Sequence, residues 1–416
     1  MNRYVTVIVV TYNSQELLKE LAETLNSLTP VCRAVISDNG SSDGTPEAVR
    51  RLVPGAEVIE NPMNGGFGYG NNRALERVET PYVLFLNSDA SLDAEGVKKL
   101  VQHLEKQPEA AGVQPLIRLW GWPLVTLSAG SSMNRYGRGW DFDFMHFQPR
   151  PKRGLAPVPC ITAAVSLFRT DTLKEIGGFD ERIFMYFEDV DLCLRMRNAG
   201  YRFFAAGDVT AYHMTGASSS RSRAGRWELI SSAYITRKYL GGPQCRLPGY
   251  WWKREWRLRI YGMVKGVKWL WRIPAVRKAR RLPVSRQELN PELLGELMKP
   301  RPLRMSNPRT AEEIGKRLKD SDLVKGPGWR GERTGECGFG CLRVPREAGR
   351  AELRFRAAGL PGSVSLWSDS GLLNRTLSCS GNISELTADV PCGTTGLYLA
   401  TDRSGQEVEA VNAEYS

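Results

Sequence analysis

The first half of the chain alternates between short apolar runs and longer stretches with helical spacing. Val5–Val10 is β-branched and nearly continuous, which is typical of a parallel strand buried on both faces. Similar runs follow at Ala34–Asp38, Ala56–Glu60 and Tyr82–Leu86, and Ser14 is placed to cap the first intervening helix. This alternation predicts an α/β fold with a doubly wound sheet.

The pattern changes in the next part of the chain. Residues 118–160 mix aromatic and basic side chains with Gly, Pro and Asp, without a regular period. An apolar core segment is one interpretation, but the mixture favours a long lid or acceptor loop. Cys160–Phe168 then predicts a buried strand and Arg202–Ala205 another, while a helix is expected from Glu188 to the stop signal at Asn198–Gly200.

Polar residues follow each of the first four predicted strands. They are Thr11–Asn13, Asp38–Gly44, Asn64–Asn72 and Asn87–Asp89. Each could be only a turn or a tight helix entry, because Asp, Asn, Ser and Gly dominate such segments for conformational reasons. In doubly wound sheets, however, ligands bind outside the carboxyl ends of the strands, so four such segments predict a ligand crevice. A carboxylate such as Asp89 there suits a hard divalent cation that bridges phosphates.

The segment Phe184–Arg195 contains three carboxylates within a span of four residues: Glu188, Asp189 and Asp191. One interpretation is that acids decorate a helix N-terminus, where the macrodipole favours them. The other is that aromatic neighbours and a second carboxylate raise the proton affinity of one acid, which makes a general base.

Length and composition limit the possible classes of protein. With 416 residues and 42% hydrophobic residues, the chain can bury a large core and is expected to hold one sizeable domain and one or two smaller pieces. No leader segment precedes the first strand and no run of eighteen apolar residues occurs, so we expect no secretion and at most peripheral membrane contact. The eight cysteines are expected to stay reduced.

Basic residues are concentrated in one segment. The range 246–286 contains 13 Lys or Arg and one acid. Its excess of 12 positive charges equals the net charge of the whole chain, +12. Drawn as a helix, Gly249–Trp271 places tryptophans on one face and basic residues on the other. A helix packed on the α/β domain is one interpretation. Five tryptophans beside a basic face favour an interfacial helix on an anionic membrane surface. No nucleic-acid recognition motif accompanies the charge.

The tail has a different texture. Residues 282–325 resemble a linker, and from Gly326 onward short alternating runs between Gly, Ser and Pro turns predict a small β-sandwich. Four cysteines at loose spacing could form a zinc site, but a reduced structural role fits the spacing better; they are Cys337, Cys341, Cys379 and Cys392. Glycan binding, oligomerisation and capping of the fold all remain open for this domain.

Together these motifs carry a family resemblance over about Tyr4–Leu240. The chain resembles inverting family 2 glycosyltransferases of GT-A fold, and is most similar to bacterial rhamnosyltransferases of surface polysaccharide synthesis. The motifs that carry it are Thr11–Asn13, Asp38–Asp43, Asn64–Phe67, Asn87–Asp89, Gly177–Asp180, Glu188–Asp189 and His213. We therefore expect a GT-A domain at 1–240, a basic helical segment and linker at 241–325, and a small all-β domain at 326–416.

The resemblance implies the roles of individual residues. Asp189 is the expected base, with Glu188 and Asp191 orienting it or binding acceptor hydroxyls. A divalent metal, Mg²⁺ or Mn²⁺, is expected on Asp89 and His213, with Asn87 in place of the first acid of an Asp-x-Asp motif. The residues implied for nucleotide and donor binding are Thr11, Tyr12, Asn13, Asp38, Gly65, Gly66, Asn72, Asn87, Ser88, Asp89 and Arg221.

The resemblance also implies a reaction. We expect transfer of a sugar from a dTDP-, UDP- or GDP-sugar to a polyprenyl-diphosphate-linked saccharide at the cytoplasmic membrane face. The best specific expectation is transfer of rhamnose from dTDP-rhamnose. Arg223 stands where processive synthases carry Gln in a Gln-x-x-Arg-Trp motif, so processive extrusion is disfavoured. The alternative is a non-catalytic nucleotide-sugar-binding or scaffold protein of the same fold, against which the intact acids argue.

Overall fold

The computed structural model describes residues 4–133, 137, 139–144, 146–147, 154–214, 221–240, 282–284, 287–291 and 293, residue 373, and the strands between 324 and 415. The chain divides into two compact units. The first contains residues 1–117, 128–142 and 152–301, and the second contains residues 118–127, 143–151 and 302–416.

Strands and helices alternate through residue 240. The strands are β1 (Val5–Thr11), β2 (Cys32–Asp38), β3 (Glu57–Glu60), β4 (Tyr82–Leu86), β5 (Ala90–Ser91), β6 (Ala110–Leu119), β7 (Trp122–Ser128), β8 (Ser131–Met133), β9 (Gly139–Asp141), β10 (His146–Phe147), β11 (Leu155–Val158), β12 (Val165–Arg169) and β13 (Arg202–His213). The helices are α1 (Leu18–Leu28), α2 (Thr45–Leu52), α3 (Phe67–Leu75), α4 (Ala94–Glu105), α5 (Thr170–Glu175), α6 (Glu188–Asn198) and α7 (Arg221–Leu240).

The main sheet of the first unit has the order β6-β12-β4-β1-β2-β3. Strand β1 pairs in parallel with β2 and β4, and β2 pairs in parallel with β3, as the buried apolar runs predict. Strand β12 is antiparallel to β4, and β13 is antiparallel to β5 and β11. The carboxyl ends of the parallel strands therefore meet at one edge, where the polar loops follow them.

The core of this unit packs against the central strands. Phe85 of β4 makes edge-to-face contacts with Phe168, at 5.4 Å between ring centroids, and with Phe179, at 5.1 Å. All three rings are buried. Since Phe179 lies in the loop before α6, these contacts fix the start of the segment that carries the acidic cluster.

The sequence predicts β4 to the residue and the other early strands to within two residues. Two local predictions are wrong. Ser14 makes no side-chain cap, because a 3-10 turn at Gln15–Leu17 precedes α1 and the Ser14 hydroxyl accepts the Tyr12 N–H instead. The strand predicted over Cys160–Phe168 begins only at Val165.

The predicted lid at 118–160 is also wrong in its secondary structure. The described part of this segment contains the end of β6 and the strands β7, β8, β9, β10 and β11. Strands β8 and β9 form a short antiparallel pair, and Ser131 and Cys160 form an isolated bridge.

In the second unit, β10 pairs with β7, and the C-terminal part contains only strands among its described elements. These are β14 (Val324–Lys325), β15 (Trp329–Arg330), β16 (Arg333–Thr334), β17 (Phe339–Arg343), β18 (Arg350–Ala358), β19 (Val364–Ser368), β20 (Gly371–Leu372), β21 (Arg375–Ser380), β22 (Ile383–Asp389), β23 (Gly396–Thr401) and β24 (Glu407–Tyr415). One sheet has the order β14-β17-β23-β19-β20 and another the order β21-β22-β18-β24. The sandwich and the predicted domain boundaries remain predictions.

The basic helix predicted at Gly249–Trp271 lies outside the described residues. Among the helices that the structure does describe, none has the length and apolar character that crossing a membrane requires.

Candidate active site

The loops after β1 and β2 meet around the buried carboxylate of Asp38. The Thr11 hydroxyl donates to Asp38 Oδ1 at 2.8 Å, the Ser41 hydroxyl donates to the same oxygen at 2.6 Å, and the Ser41 N–H donates to Oδ2 at 2.7 Å. Parallel pairing sets Thr11 beside Asp38 at the strand ends. The structure thus brings together two residues predicted for nucleotide binding and holds the carboxylate in one orientation.

Asn13 joins the same two loops. It has a left-handed backbone, with φ of 48°, its N–H donates to Ser41 Oγ at 2.8 Å, and its Oδ1 accepts from the Ser42 N–H at 2.9 Å. The neighbouring Tyr12 is 48% exposed. An exposed aromatic ring is a surface on which a flat base can stack.

The glycine-rich loop after β3 owes its composition to close packing. Gly66 has a φ of 96°, and a Cβ there would collide with the Phe184 carbonyl. The Phe67 N–H donates to that carbonyl at 3.0 Å. A Cβ on Gly65 would collide with the Tyr69 ring. These glycines let the loop approach the segment that leads to the acids, and their contact with a diphosphate stays a prediction.

Asn72 was expected to line the donor, but both functional atoms of its side chain are already bonded. Its Nδ2 donates to the Phe179 carbonyl at 2.9 Å and to Glu181 Oε1 at 3.0 Å, and its Oδ1 accepts from the Phe179 N–H at 2.8 Å. Asn72 therefore joins α3 to the loop before α6, and its contact with the donor stays a prediction.

Asp89 and His213, which are 124 residues apart, are in contact. Asp89 Oδ1 lies 3.0 Å from His213 Nε2, and Asn87 Nδ2 lies 3.3 Å from the same nitrogen. The Met214 N–H donates to the Asp89 carbonyl at 2.9 Å, because β13 pairs with β5 immediately after the motif. The predicted juxtaposition of the metal-motif acid and the histidine is thus present.

The residues around this contact fit a divalent cation. Asn87 Oδ1 is buried and has no hydrogen-bond partner, so a third donor atom is free beside the Asp89 carboxylate and the His213 imidazole. Carboxylate and amide oxygens suit Mg²⁺, and an imidazole in addition suits Mn²⁺. No group of three or more His, Cys, Asp and Glu residues suited to a metal occurs within the described ranges, so nucleotide oxygens or water would have to complete the coordination.

The acidic pair begins α6 after an unusual backbone. Tyr186 and Phe187 both have positive φ, at 65° and 69°, and the Phe187 carbonyl accepts the Asp191 N–H at 2.9 Å. Two consecutive left-handed residues other than glycine are energetically unfavourable and cluster at functional sites. They turn the chain sharply, so that Glu188 and Asp189 occupy the first turn of the helix.

Asp189 is held by backbone donors. Its Oδ1 accepts from the Val190 N–H at 2.8 Å, and its Oδ2 accepts from the Ala163 N–H at 3.4 Å. Burial raises the pKa of Asp189, and these N–H groups and the Thr162 hydroxyl lower it less than burial raises it. Asp189 as a residue is partly exposed, although protein atoms surround the carboxylate. An accessible carboxylate of raised proton affinity is what a general base requires.

Glu188 is more deeply buried, at 8% exposure, and its Oε2 has no hydrogen-bond partner. Burial first, and the charge of Asp189 second, raise the pKa of Glu188 to about 8. Glu188 therefore carries a proton at neutral pH and can donate a hydrogen bond that Asp189 cannot.

Asp191 points into the protein interior, and the prediction that it binds acceptor hydroxyls is wrong. It is fully buried and accepts from Lys238 Nζ at 2.6 Å, Tyr239 Oη at 2.8 Å and Arg195 Nε at 2.8 Å. Lys238 also bonds Asp180 Oδ2 at 2.9 Å. With its oxygens engaged in this ion cluster, Asp191 is a structural residue that joins α6 to α7 and cannot bind an acceptor hydroxyl.

Sequence reasoning missed Lys238 and Asp141. Lys238 lies 47 residues after Asp191, and no local pattern indicates their contact. Asp141 follows Trp140 in β9, where no local pattern marks it, yet it interacts electrostatically with Asp189 and His213. Arg221, expected to contact phosphates, begins α7, and its side chain lies outside the described part of the structure.

Comparison with known proteins gives consistent results. Residues 6–177 match the family described as Glycosyl transferase family 2. N-acetylglucosaminyl-diphospho-decaprenol L-rhamnosyltransferase of Mycobacterium tuberculosis (strain CDC 1551 / Oshkosh) is 27% identical over 247 residues, which cover 54% of this chain and 80% of the relative. Rhamnosyltransferase WbbL of Escherichia coli (strain K12) is 27% identical over 252 residues, which cover 56% of this chain and 93% of that relative.

Among solved structures, mannosyltransferase PcManGT from Pyrobaculum calidifontis in complex with GDP-Man and Mn²⁺ is 21% identical, with a TM-score of 0.42. The match covers 56% of this chain and 64% of that one, so this chain spans less than two thirds of that structure.

Proposed function

This chain is a family 2 glycosyltransferase that resembles bacterial rhamnosyltransferases, and from this premise we propose that it transfers a sugar from a nucleotide donor to a saccharide acceptor with inversion. The specific donor that we propose is dTDP-rhamnose. The proposed acceptor is a saccharide on a polyprenyl diphosphate, since the mycobacterial relative is named for an N-acetylglucosaminyl-diphospho-decaprenol substrate.

One observation carries the proposal. Ala163 and Ala164 are neighbours in the chain; the Ala163 N–H donates to Asp189 Oδ2 at 3.4 Å, and the Ala164 carbonyl accepts from the Asn87 N–H at 2.8 Å. The candidate base and the candidate metal motif are therefore held side by side by one short backbone segment. Direct displacement at a sugar carbon needs this combination, because a base activates the incoming hydroxyl while positive charge stabilises the departing diphosphate.

The reaction proceeds in one displacement. Asp189 accepts the proton of the acceptor hydroxyl, and the oxygen forms a bond to the anomeric carbon on the face opposite the diphosphate. The bond between that carbon and the diphosphate oxygen breaks, and its electron pair leaves with the nucleoside diphosphate. The Val190 and Ala163 N–H groups keep the Asp189 carboxylate oriented toward the hydroxyl during this step.

A divalent cation held by Asp89, His213 and Asn87 Oδ1 would supply charge neutralisation for the departing diphosphate. Glu188 lies beside the base, and burial together with the charge of Asp189 raises its pKa to about 8. The loops around Asp38 and Asn13 would hold the nucleoside.

A donor panel tests the proposal. The purified protein is incubated with dTDP-rhamnose and with UDP- and GDP-sugars, Mn²⁺ or Mg²⁺, and N-acetylglucosaminyl diphosphate carrying a short alkyl chain, and products are identified by mass spectrometry. Transfer from at least one donor, with dTDP-rhamnose preferred, is expected. Nucleotide binding without turnover of any donor would instead support a non-catalytic scaffold.

A further inference from the structure

Strands β8 and β9 place an additional carboxylate, that of Asp141, at the candidate active site. Asp141 pairs in register with Ser131 of β8. Ser131 in turn exchanges two backbone hydrogen bonds with Cys160, at 2.8 and 3.0 Å. Cys160 directly precedes the loop Ile161–Ala164, which holds Asp189, so Asp141 is tied through two backbone pairings to the segment that orients the base.

The other side of this hairpin contacts the segment before the acids. A Cβ on Gly139 would lie 3.2 Å from the Phe187 ring, so the ring packs directly on the strand. The Gly137 carbonyl accepts from the Ser232 hydroxyl of α7 at 2.6 Å. Since Gly139 is two residues from Asp141 and Phe187 immediately precedes Glu188, the hairpin is fixed beside the catalytic pair.

A buried polar chain leads to the Asp141 carboxylate. The Ser128 hydroxyl is shared between Asp141 and the Gly130 carbonyl, which lies 3.2 Å from Ser128 Oγ, and Gln114 Nε2 donates to Ser128 Oγ at 3.2 Å. Gln114 Oε1 accepts from the Thr162 N–H at 3.0 Å, and the Thr162 hydroxyl bonds Asp189. Gln114 and Ser128 are buried. The same chain of side chains thus ends on Asp189 at one end and on Asp141 at the other.

Asp141 interacts electrostatically with both Asp189 and His213. Burial raises its pKa to about 7; the Ser128 bond lowers it, the charge of Asp189 raises it, and the charge of His213, the weakest of these influences, lowers it. The residue as a whole is nevertheless partly exposed. It is available to a ligand, and the reaction leaves it no covalent role because Asp189 already serves as the base.

We propose that Asp141 hydrogen-bonds a hydroxyl group of the acceptor saccharide and thereby positions the attacking hydroxyl against Asp189. The proposal rests on the proposed function, because it assigns the acceptor side of the same site. Carboxylates bind sugar hydroxyls through charge-assisted hydrogen bonds, which are stronger than neutral ones. A site built around such a bond also rejects acceptors without that hydroxyl, because the hydrogen bond to the carboxylate is then lost.

Binding measurements on the full chain test the role of Asp141. Isothermal titration with N-acetylglucosaminyl diphosphate carrying a short alkyl chain, in the presence of dTDP and Mn²⁺, compares wild type with Asp141→Ala and Asp141→Asn. Loss of one hydrogen bond to a charged group should weaken acceptor binding about tenfold or more in Asp141→Ala. The affinity for dTDP-rhamnose should stay unchanged. Asp171→Asn, at an exposed position of α5, is the control.

The Ser128→Ala variant provides a second measure, since it keeps the carboxylate but removes its orienting bond, and it should raise the KM for the acceptor with a smaller change in kcat. Unchanged acceptor affinity in Asp141→Ala would overturn the proposal. A variant that loses affinity for the donor instead of the acceptor would overturn it as well. So would failure of wild type to bind the acceptor probe.

The two proposals fail separately. If wild type transfers sugar and the Asp141 variants keep its acceptor KM, the role of Asp141 is wrong and the proposed function stands. If wild type binds the acceptor through Asp141 but transfers no sugar, the proposed function is wrong and the saccharide site stands.

Discussion

Glu188 and Asp189 are adjacent carboxylates with different environments. Asp189 has backbone donors on both oxygens, whereas Glu188 Oε2 has none. Environment therefore assigns the anionic role to Asp189 and the protonated role to Glu188, in the way that enzymes separate two acids of similar intrinsic pKa.

Stability should depend on pH through Glu188. Its pKa rises from a usual 4.5 to about 8 in the folded protein, so the folded state holds the proton more tightly than the unfolded state. The contribution of the Glu188 proton to the free energy of unfolding is fully present below pH 4.5 and is lost as the pH rises through about 8. Glu188→Gln cannot ionise, so its Tm relative to wild type should increase between pH 5 and pH 9. A constant difference in thermal melts over this range would contradict the assignment.

The metal pair makes a separate prediction. Asp89→Ala and His213→Ala should each weaken Mn²⁺-dependent binding of dTDP by about tenfold or more, because few protein ligands hold the cation. Calorimetry with Mn²⁺ and with chelator measures this. His103→Ala is the matched control, since His103 pairs with Asp208 at 3.0 Å on a different part of β13. Equal dTDP affinity in Mn²⁺ and in chelator would remove the metal from the reaction.

Among the helices, α7 secures the catalytic segment. Trp227 stacks on Phe184 at 4.3 Å between ring centroids, the Ser231 hydroxyl donates to the Met185 carbonyl at 2.8 Å, and Lys238 bridges Asp180 and Asp191. These contacts of α7 stabilise the segment that contains the strained turn at Tyr186 and Phe187. Burial alone would raise the pKa of Asp180, but hydrogen bonds from Arg182, Lys238 and Tyr234 hold it well below its usual value.

Lys238→Met should therefore destabilise the fold strongly. Removing one partner from a buried ion cluster leaves uncompensated charge and costs about 3–5 kcal/mol. Urea unfolding measures the change, and Lys98→Met, which breaks a surface pair with Glu95, should cost under about 0.5 kcal/mol. A loss below about 1 kcal/mol for Lys238→Met would show that the cluster contributes little.

What the sequence could predict depended on the range of the interaction. The strand β4 and the polar strand ends follow from local patterns, and the meeting of Asp89 with His213 followed from a family resemblance. The opposite orientations of Asp189 and Asp191 follow from helical geometry, because residues two apart lie on different faces. The partners Lys238 and Asp141 could not be predicted, because their contacts join distant segments. Cys160–Phe168 was misjudged because Ile161–Ala164 is apolar in composition but serves as the loop that holds Asp189.

Across the full chain, the excess positive charge should determine where the enzyme works. The range 246–286 accounts for the net charge of +12. If Gly249–Trp271 lies on an anionic leaflet, each basic residue contributes about 1 kcal/mol to attachment. Reversing Arg254, Arg257, Lys265 and Lys268 to Glu should release the protein from anionic vesicles in flotation assays. Activity on a water-soluble acceptor should be unchanged, while activity on a polyprenyl-linked acceptor should fall.

A control with four reversed charges on the first unit, at the exposed residues Lys19, Arg51, Arg77 and Lys98, should stay on the vesicles. Parallel loss of both activities in the first variant would place the helix in the folded core and contradict the membrane interpretation.

Inverting sugar transfer by Asp189 can be tested in one NMR measurement. Wild type and Asp189→Asn are followed with dTDP-rhamnose, Mn²⁺ and the soluble acceptor, and the anomeric signal of the new linkage is compared with that of the donor. Wild type should give only the opposite anomer, and the variant should lose about a hundredfold or more in rate while still binding donor. A product that retains the donor configuration, or an Asp189→Asn variant with near-normal turnover, would contradict the assignment of Asp189 as the base of an inverting transfer.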